Sequence, residues 1–363
     1  MRKEELFNII GEVDEQKVAA AGMAMNTKKK SRPAWVKWGA MAACLCLVVV
    51  GAFVGHNNDF GKMACGHTNH SITVSQNGVY FAETDSGVYF YNVANEETTE
   101  VAKFNGTFCK TTSGIYLLNN SSGELYIVEN AEITNVGTLD YNSPDYIKDL
   151  HSIDLIDIQD NVAYWTSVYQ DKNTNDIYKA VFATNLTTSE KSELLTLYGS
   201  NPFKGGIVAG NLYFLNRVEN NKIELLNLST YDRVTVYEMP EDFKEISNMV
   251  FYEDMIVFES STGMYQLDYD TAEIEKLTDI IPTTNALDRV GNELYYVAER
   301  QEEVLISLNL QTGEVVELVE IEGHTYTELV ACEGGYYFTD PSDTNGGLFY
   351  YDFVTGSAVQ ISK

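Results

Sequence analysis

A motif that recurs seven times constrains the fold of this chain more than any other feature. Each copy starts with a strand-like segment that holds two adjacent large side chains, as in Tyr80 and Phe81. A polar turn follows, then a second segment of the form L-Y-x-x-D/N, a turn of the T-G-E type and a closing apolar segment. The copies begin between 36 and 49 residues apart, at Gly78, Gly114, Asn161, Gly210, Asp254, Gly291 and Gly334. Self-similarity of this kind indicates one supersecondary unit repeated along the chain.

Each unit is expected to contain four strands, because a further apolar segment precedes it, as residues 248–252 precede residues 255–258. Four-stranded units of about 40 to 50 residues are typical of propeller blades. A small sheet that is apolar on both faces needs a neighbouring sheet on each side, and a closed ring of sheets supplies two neighbours to every member. We therefore predict an all-β, seven-bladed β-propeller over residues 71–363. The first and last units supply their own strands, so no strand exchange is expected. Six or eight blades stay open as alternatives, because the third unit carries insertions.

The paired aromatic residues of the repeats have two interpretations, as packing between blades or as platforms for sugars. The pairs are Tyr80 and Phe81, Tyr213 and Phe214, Tyr295 and Tyr296, and Tyr337 and Phe338. Packing is favoured, because every blade in a closed ring has two faces to bury.

An uncharged segment of eighteen residues, 38–55, divides the chain into two parts. As a helix it would span about 27 Å, near the lower limit for a bilayer core. Lys28, Lys29, Lys30, Arg32 and Lys37 precede it, and positive residues stay in the cytoplasm. The pattern predicts a single-pass protein of the cell membrane, with the N-terminus cytoplasmic and the C-terminal domain extracytoplasmic. A cleaved secretory signal is the alternative, although the basic region is long and no clear A-x-A site follows.

The segments on either side of this predicted span are short. Residues 1–37 are predicted to form a cytoplasmic tail with a short amphipathic helix, and residues 56–70 a juxtamembrane linker. Apolar residues follow helical spacing in the tail, at Leu6, Ile9, Ile10 and Val13. Their common face could dock on a cytoplasmic protein. The plainer interpretation is a tail that only sets topology.

The distribution of charged residues limits the classes of partner that the protein is expected to bind. The tail carries a net charge of +3, whereas the remainder of the chain carries −32. A body this acidic repels nucleic acid and anionic lipid surfaces, so neither is an expected partner of the propeller. An envelope protein or a glycan is expected instead. Cys65, Cys109 and Cys332, the cysteines outside the apolar segment, are too few and too widely spaced for a disulfide framework.

Two stretches of sequence carry a resemblance to known proteins. The tail and anchor, EELFNIIGEVDEQKV followed by KKK and WVKWGAMAACLCLVVVGAFV, resemble an N-terminal module of Gram-positive bacterial membrane proteins. That resemblance implies an anti-sigma or transmembrane signalling role. The repeats, with their Y-Y/F and L-Y-x-x-D-x-x-T-G-E strands, are similar to extracytoplasmic propeller domains of unknown function. This second resemblance implies fold and location but no particular chemistry.

Catalytic and metal-binding signatures are missing from the sequence. There is no G-x-S-x-G elbow, no H-E-x-x-H and no Walker loop. Cys65, His67 and His70 match no closed four-ligand metal site. The segment that starts at Asp171, DKNTND, lacks the glycine and the final glutamate of a calcium loop, with Phe182 at the twelfth position. We therefore expect no catalytic residues, no metal, no cofactor and no enzymatic activity.

Three long loops indicate a binding surface. Residues 140–152, 169–176 and 198–205 are of the two loop types that emerge on one side of a propeller, and they cluster around the third and fourth units. The candidate ligand-binding residues are Tyr146, Trp165, Asp171, Tyr198 and Phe203. The predicted function is a membrane-anchored, non-catalytic binding or sensing module. One alternative is an anti-sigma-type regulator whose tail helix binds a cytoplasmic partner. The other is a glycan-acting propeller enzyme, which would require carboxylates at the channel mouth.

Overall fold

The structure is a computed structural model of the 363-residue chain. It describes residues 71–83, 87–111, 113–139, 146–147, 153–199, 203–217, 222–240, 243, 246–252, 254–269, 271–299, 303–320, 328–332, 334–339 and 348–361. The chain divides into compact units of residues 1–55 and 56–363, and all described residues belong to the second. Within these ranges no helix is both long and apolar enough to span a bilayer. The predicted tail, apolar span and linker lie outside the described residues.

Seven antiparallel sheets, here called blades 1 to 7, make up the described part of the chain. Blade 1 holds β1 (Ile72–Val74), β2 (Gly78–Glu83), β3 (Gly87–Asn92) and β4 (Glu97–Ala102). Blade 2 holds β5 (Gly106–Thr111), β6 (Gly114–Asn119), β7 (Glu124–Glu129) and β8 (Glu132–Thr138). Blade 3 holds β9 (Tyr146–Ile147), β10 (Ile153–Gln159), β11 (Val162–Asp171), β12 (Ile177–Asn185) and β13 (Lys191–Tyr198). Blade 4 holds β14 (Gly205–Val208), β15 (Asn211–Asn216), β16 (Lys222–Asn227) and β17 (Arg233–Glu238).

The remaining blades repeat the same plan. Blade 5 holds β18 (Ile246–Phe251), β19 (Met255–Ser260), β20 (Gly263–Asp268) and β21 (Ile274–Thr278). Blade 6 holds β22 (Pro282–Val290), β23 (Glu293–Glu299), β24 (Glu303–Asn309) and β25 (Val315–Glu320). Blade 7 holds β26 (Glu328–Cys332), β27 (Gly335–Thr339), β28 (Leu348–Asp352) and β29 (Ser357–Gln360). The prediction of an all-β, seven-bladed propeller is confirmed. The absence of strand exchange is also confirmed for the described strands, because blades 1 and 7 each pair four consecutive strands.

The hydrophobic core is divided among the junctions between neighbouring blades. One buried cluster lies at each of the seven junctions. The cluster that closes the ring joins Ile72 and Phe81 of blade 1 to Tyr337 and Leu348 of blade 7. Burying a large apolar side chain contributes about 1.5–3 kcal/mol. Closure is therefore stabilised by side-chain packing between the first and last blades.

The aromatic pairs of the repeat are explained by this arrangement. Adjacent residues of a strand point to opposite faces of the sheet. Tyr80 accordingly packs at the junction of blades 1 and 2, whereas Phe81 packs at the junction of blades 7 and 1. Tyr337 and Phe338 divide in the same way between the two junctions of blade 7. The predicted packing role of these pairs is confirmed.

The D/N position of the repeat caps the turn between the third and fourth strands in six of the seven blades. In blade 6, Asn309 Oδ1 accepts the backbone N–H groups of Gln311 and Thr312 at 3.0 and 2.9 Å. The equivalent acceptors are Asn92, Asn185, Asn227, Asp268 and Asp352. A side-chain oxygen that accepts from the backbone two or three residues later stabilises a tight turn. This capping is the physical basis of the L-Y-x-x-D/N motif.

The strand order defines two edges of the ring. Because consecutive strands are antiparallel, each first strand begins, and each fourth strand ends, at the same edge. We call this the upper edge. It carries the connections between blades and the loops between second and third strands. The opposite, lower edge carries the remaining turns.

Candidate functional site

Three basic residues lie together at the upper edge of blades 3 and 4. Lys179 is the third residue of β12, Lys204 immediately precedes β14, and Arg217 immediately follows β15. We call these residues the basic cluster. Arg217 Nη2 donates to the backbone oxygen of Ile246 at 2.6 Å, so the cluster also contacts blade 5.

Lys179 is buried and Lys204 is half-buried, which is unusual for charged side chains. The Lys179 side chain is 5% exposed and faces Asp154, with 3.7 Å between Nζ and Oδ2. Burial lowers the pKa of Lys179, and the carboxylate of Asp154 opposes that effect. Lys204 forms no ion pair with any residue in the described part of the chain. Such lysines are costly to the fold, because a charge removed from water must be compensated elsewhere.

The positive charges of the cluster act on one another. Burial has the largest effect on Lys204 and lowers the pKa of its ammonium group. The charges of Arg217 and Lys179 lower it further, whereas Glu259 of blade 5 raises it. Burial likewise lowers the pKa of Arg217. The three cations therefore share one electrostatic environment, in which a negatively charged ligand would be stabilised.

Two carboxylates near the cluster have other partners. Glu259 is buried and accepts from Asn248 Nδ2 at 2.6 Å. Glu224 of blade 4, also buried, accepts from Asn216 Nδ2 at 2.8 Å and pairs with Arg233. The charge of Glu224 is thus balanced by Arg233 rather than by the basic cluster.

A packed aromatic ring holds the segment that presents Lys204. Phe203 is buried at the junction of blades 3 and 4, with its ring centroid 6.4 Å from that of Phe214. The ring occupies the space beside Gly205, where a Cβ atom would lie 2.5 Å from it. Lys204 therefore lies between a fixed ring and a glycine that makes room for that ring.

The predicted ligand-binding residues occupy different environments. Trp165 is fully buried, stacks on Phe182 at 4.6 Å between ring centroids and donates its indole N–H to Thr184 Oγ1 at 2.9 Å. Its hydrogen-bonding capacity is satisfied inside blade 3. Phe203 is likewise buried. Both residues pack behind the upper edge instead of lining it.

The other three candidates lie together at the outer upper end of blade 3. Asp171 Oδ1 accepts the N–H groups of Asn173 and Thr174 at 2.7 and 3.0 Å and so stabilises the turn that follows β11. The backbone of Tyr146 pairs with that of Asp171 through β9, a strand that the sequence analysis did not predict. Tyr198, the last residue of β13, is 60% exposed. Among the candidates whose side chains the structure describes, Tyr198 is the exposed aromatic residue.

The lower edge carries a second group of charged residues. Asp288 Oδ2 on β22 accepts the N–H of Ala331 at 2.6 Å, and Lys110 Nζ on β5 donates to Val74 O at 3.0 Å. Burial raises the pKa of Asp288 to about 7, although these N–H contacts and the charge of Lys110 oppose it. Burial also raises the pKa of Asp157 on β10 to about 6. The contacts of Asp288 and Lys110 join the first strands of neighbouring blades, and we assign them to the packing of blade on blade.

The basic cluster was not predicted from the sequence, in which the candidate site residues were aromatic residues and a carboxylate near long loops. One signal was available: Lys179 interrupts the otherwise apolar run I-Y-K-A-V-F of a blade strand. A lysine at a buried strand position is rare unless it is paired or functional. Lys204 and Arg217 lie in loop-flanking positions, where nothing in the local sequence marks them as neighbours. Among the described residues, no group of His, Cys, Asp and Glu side chains could hold a metal ion.

Comparison with known proteins supports the fold. No protein-family model matches the sequence, and a search of curated proteins found no match. Among solved structures, the chain is similar to the oligogalacturonate lyase of Vibrio parahaemolyticus, with a TM-score of 0.59 and 12% identity over 80% of this chain and 91% of that one. It is also similar to a puromycin hydrolase, with a TM-score of 0.57 and 12% identity over 83% of this chain. The chain spans 53% of the length of that hydrolase.

The prediction that the protein is not an enzyme requires correction. It rested on missing catalytic motifs, but the solved structures similar to this chain include a hydrolase and a lyase. Identities of 12% establish the fold alone and transfer no activity. The missing motifs therefore give no ground for excluding catalysis, because a propeller can bring together reactive residues from blades that are distant in sequence.

Proposed function

We propose that the propeller recognises a carboxylate-bearing ligand at the basic cluster. The observation that carries this proposal is the placement of Lys179, Lys204 and Arg217 at one edge of a chain with a net charge of −29. A carboxylate would supply the opposite charge that Lys204 lacks among the described residues. Arg217 adds a planar guanidinium group, which can bind a carboxylate through two parallel hydrogen bonds.

The surrounding charge favours a small or dispersed negative charge over a dense polyanion. Asp154 and Glu259 lie beside the three cations, so the local excess among the described residues is about one positive charge. Nucleic acid and phosphate-rich polymers would meet a strongly negative protein outside this cluster. An acidic glycan carries one carboxylate for each acidic sugar, which suits this balance. The oligogalacturonate lyase similarity supports the choice of galacturonate as a probe.

The test compares two sugars that differ by one carboxylate. The purified full-length chain is titrated calorimetrically with galacturonate and with galactose. We expect galacturonate to bind more tightly, and we expect added salt to weaken its binding. Lys204→Met should reduce the affinity for galacturonate about tenfold or more, since a charged hydrogen bond contributes roughly 1.5–3 kcal/mol. Equal binding of both sugars, or an unchanged affinity in Lys204→Met, would contradict the proposal.

A matched control is available in blade 1. The Lys103 side chain is 82% exposed, and its ion pair with Glu100 lies far along the chain from the cluster. Lys103→Met removes the same charge from the protein as Lys204→Met. It should leave galacturonate binding unchanged, so a general loss of positive charge is separated from loss of the site.

A second candidate function is catalysis on the same acidic glycan. The lowered pKa values of Lys179 and Lys204 favour it, because they raise the share of the neutral amine, which is the form that can accept a proton. A neutral lysine would take the proton from the carbon next to the carboxylate. The bond between the β carbon and its oxygen would then break, and a carbon–carbon double bond would form. The departing oxygen would take a proton from water, and the lysine ammonium would return its proton to the hydroxide that remains. Ultraviolet absorbance of the unsaturated product during incubation with oligogalacturonate tests this candidate.

We also propose that residues 38–55 anchor the propeller outside the cell membrane. The uncharged segment and the basic residues before it support this arrangement. Protease added to intact cells should then remove the propeller and leave the tail protected. Complete protection of the propeller until the cells are lysed would contradict the proposed orientation.

A further inference from the structure

Three tyrosines form a continuous aromatic row across the upper end of blade 3. Tyr169 on β11 pairs in register with Tyr178 on β12, which pairs with Tyr198 on β13. The rings of Tyr169 and Tyr178 stack at 5.6 Å between centroids, and those of Tyr178 and Tyr198 meet edge to face at 5.5 Å. We call these residues the tyrosine row. It begins at the buried Tyr169 and ends at Tyr198, which is 60% exposed.

The exposed end of the row is held in place by a carboxylate. Tyr198 donates its hydroxyl hydrogen to Asp176 Oδ1 at 3.0 Å, and Tyr178 donates to Asp176 Oδ2 at 3.4 Å. The hydrogen bond to Asp176 raises the pKa of Tyr198, as expected for a hydroxyl that donates to a carboxylate. Thr174 and Tyr198 in turn hold the pKa of Asp176 below its usual value. An exposed ring that is fixed before binding loses little conformational entropy when a ligand packs on it.

The position of the row places it next to the basic cluster. Tyr178 and Lys179 are consecutive residues of β12, so their side chains leave the sheet on opposite faces at the same level. Lys179 faces the blade 4 side, where it shares an electrostatic environment with Lys204. A ligand that crosses the upper end of blade 3 would therefore meet aromatic rings on one side and positive charge on the other.

We propose that the tyrosine row is a subsite for a sugar ring, with Tyr198 as the stacking platform and Asp176 as an acceptor for sugar hydroxyl groups. The C–H bonds of a pyranose pack on the negative face of an aromatic ring. A carboxylate has about four acceptor positions, of which the hydroxyl groups of Tyr198, Tyr178 and Thr174 use three. This inference rests on the proposed function, which it deepens: the carboxylate-bearing ligand is a glycan that spans the tyrosine row and the basic cluster.

The test measures the affinities of the full-length chain for two trisaccharides, trigalacturonate and the neutral galactan trisaccharide. Tyr198→Ala should weaken the binding of both by up to about tenfold, because an aromatic stacking contact contributes roughly 0.5–1.5 kcal/mol. Tyr198→Phe keeps the ring but removes the hydrogen bond to Asp176, so it should weaken binding less than Tyr198→Ala. Lys204→Met should weaken only trigalacturonate.

Tyr231 provides a matched control. It is 59% exposed, almost the same as Tyr198, but it lies in the turn that precedes β17 at the lower edge. Tyr231→Ala should leave both affinities unchanged. Far-ultraviolet circular dichroism and the thermal midpoint of each variant verify that the propeller is intact, which is expected for substitutions of exposed side chains.

The outcomes separate the two proposals. If Lys204→Met weakens trigalacturonate while Tyr198→Ala changes neither affinity, the sugar subsite is wrong and the carboxylate site stands. If Tyr198→Ala weakens both probes while Lys204→Met changes neither, the carboxylate site is wrong and aromatic sugar binding stands. Failure of both trisaccharides to bind the wild-type chain would overturn both proposals.

Discussion

Asp288 of blade 6 accepts the backbone N–H of Ala331 of blade 7 at 2.6 Å, which joins the innermost strands of two neighbouring blades. Asp288 Oδ1 also accepts the N–H of Arg289 at 2.8 Å. A carboxylate in this position links the stability of the ring to pH, because burial raises its pKa from 3.8 to about 7.

The sign of this dependence follows from proton binding. Between pH 3.8 and about 7 the folded state holds a proton on Asp288 that the unfolded state has lost. Stability contributed by this group is therefore fully present below pH 3.8 and falls as the pH rises towards 7. Asp288→Asn should remove this slope. The loss of unfolding free energy between pH 5 and pH 8, measured by urea denaturation, should then be smaller than in the wild type by on the order of 1–2 kcal/mol. Asp232→Asn, at an exposed turn, serves as the control, and an unchanged slope in Asp288→Asn would contradict the assignment.

The turns between third and fourth strands offer a test of backbone strain. Gly313 has a φ of 69° at the position where blade 5 carries Ala272 with a φ of 55°. Residues with a side chain pay about 1 kcal/mol for this left-handed conformation, which glycine adopts freely. Ala272→Gly should therefore stabilise the protein by up to about 1 kcal/mol, and Gly313→Ala should destabilise it by a similar amount. Chemical denaturation of both variants measures the two effects, and changes of the same sign would refute the explanation.

Gly205 should be essential to the segment that presents Lys204. A Cβ atom at this position would lie 2.5 Å from the Phe203 ring and 2.7 Å from the backbone oxygen of Tyr213. Gly205→Ala should destabilise the protein by roughly 1–3 kcal/mol, because the ring must move out of a packed junction. Combining it with Phe203→Leu should cost less than the sum of the two single changes, since the two sites are in contact. Additive losses in thermal unfolding would show that the ring and the glycine act independently.

Lys204 should lower the stability of the free protein. Its half-buried side chain has no ion-pair partner among the described residues, and the positive charges of Arg217 and Lys179 act against its ammonium group. Lys204→Met keeps much of the apolar stem and removes the charge, so we expect the free energy of unfolding to rise by about 1 kcal/mol. Lys103→Met, at an exposed position, should change it by less than about 0.5 kcal/mol. A loss of stability in Lys204→Met would indicate that the ammonium group is compensated in the folded protein.

The repeat explains why so much of the fold was predictable. Adjacent aromatic residues such as Tyr80 and Phe81 pack on opposite faces of one strand. The need for a large side chain on each face can therefore be recognised within the strand itself. The caps at Asn309 and its equivalents are also local, because donor and acceptor lie two or three residues apart. Because these patterns recur along the chain, they can be recognised in the sequence without any knowledge of contacts between distant residues. The extra strand β9 escaped prediction because it consists of two residues and is defined only by its pairing with β11.

The candidate site was predicted less well. The long loops of blades 3 and 4 predicted a binding surface that stays a prediction; Tyr198 is exposed there, whereas Trp165 and Phe203 are buried. Aromatic residues near loops have the same sequence signature whether they face a ligand or a neighbouring blade. Only the packing of blade 3 against blade 4 distinguishes Phe203 at the junction from Tyr198 at the edge.

The sequence by itself determined the repeated four-stranded unit, the alternation of buried faces and the capped turns, because each depends on residues a few positions apart. The seven sheets of the structure decided between seven blades and the alternatives of six or eight. The tertiary structure alone decided which charges meet. Lys179 and Lys204 are separated by 25 positions and belong to different blades, yet the packing of blade 3 against blade 4 places them in one electrostatic environment with Arg217. Coulomb interactions depend on distance in space and on exclusion of water, neither of which is encoded in the spacing of residues along the chain.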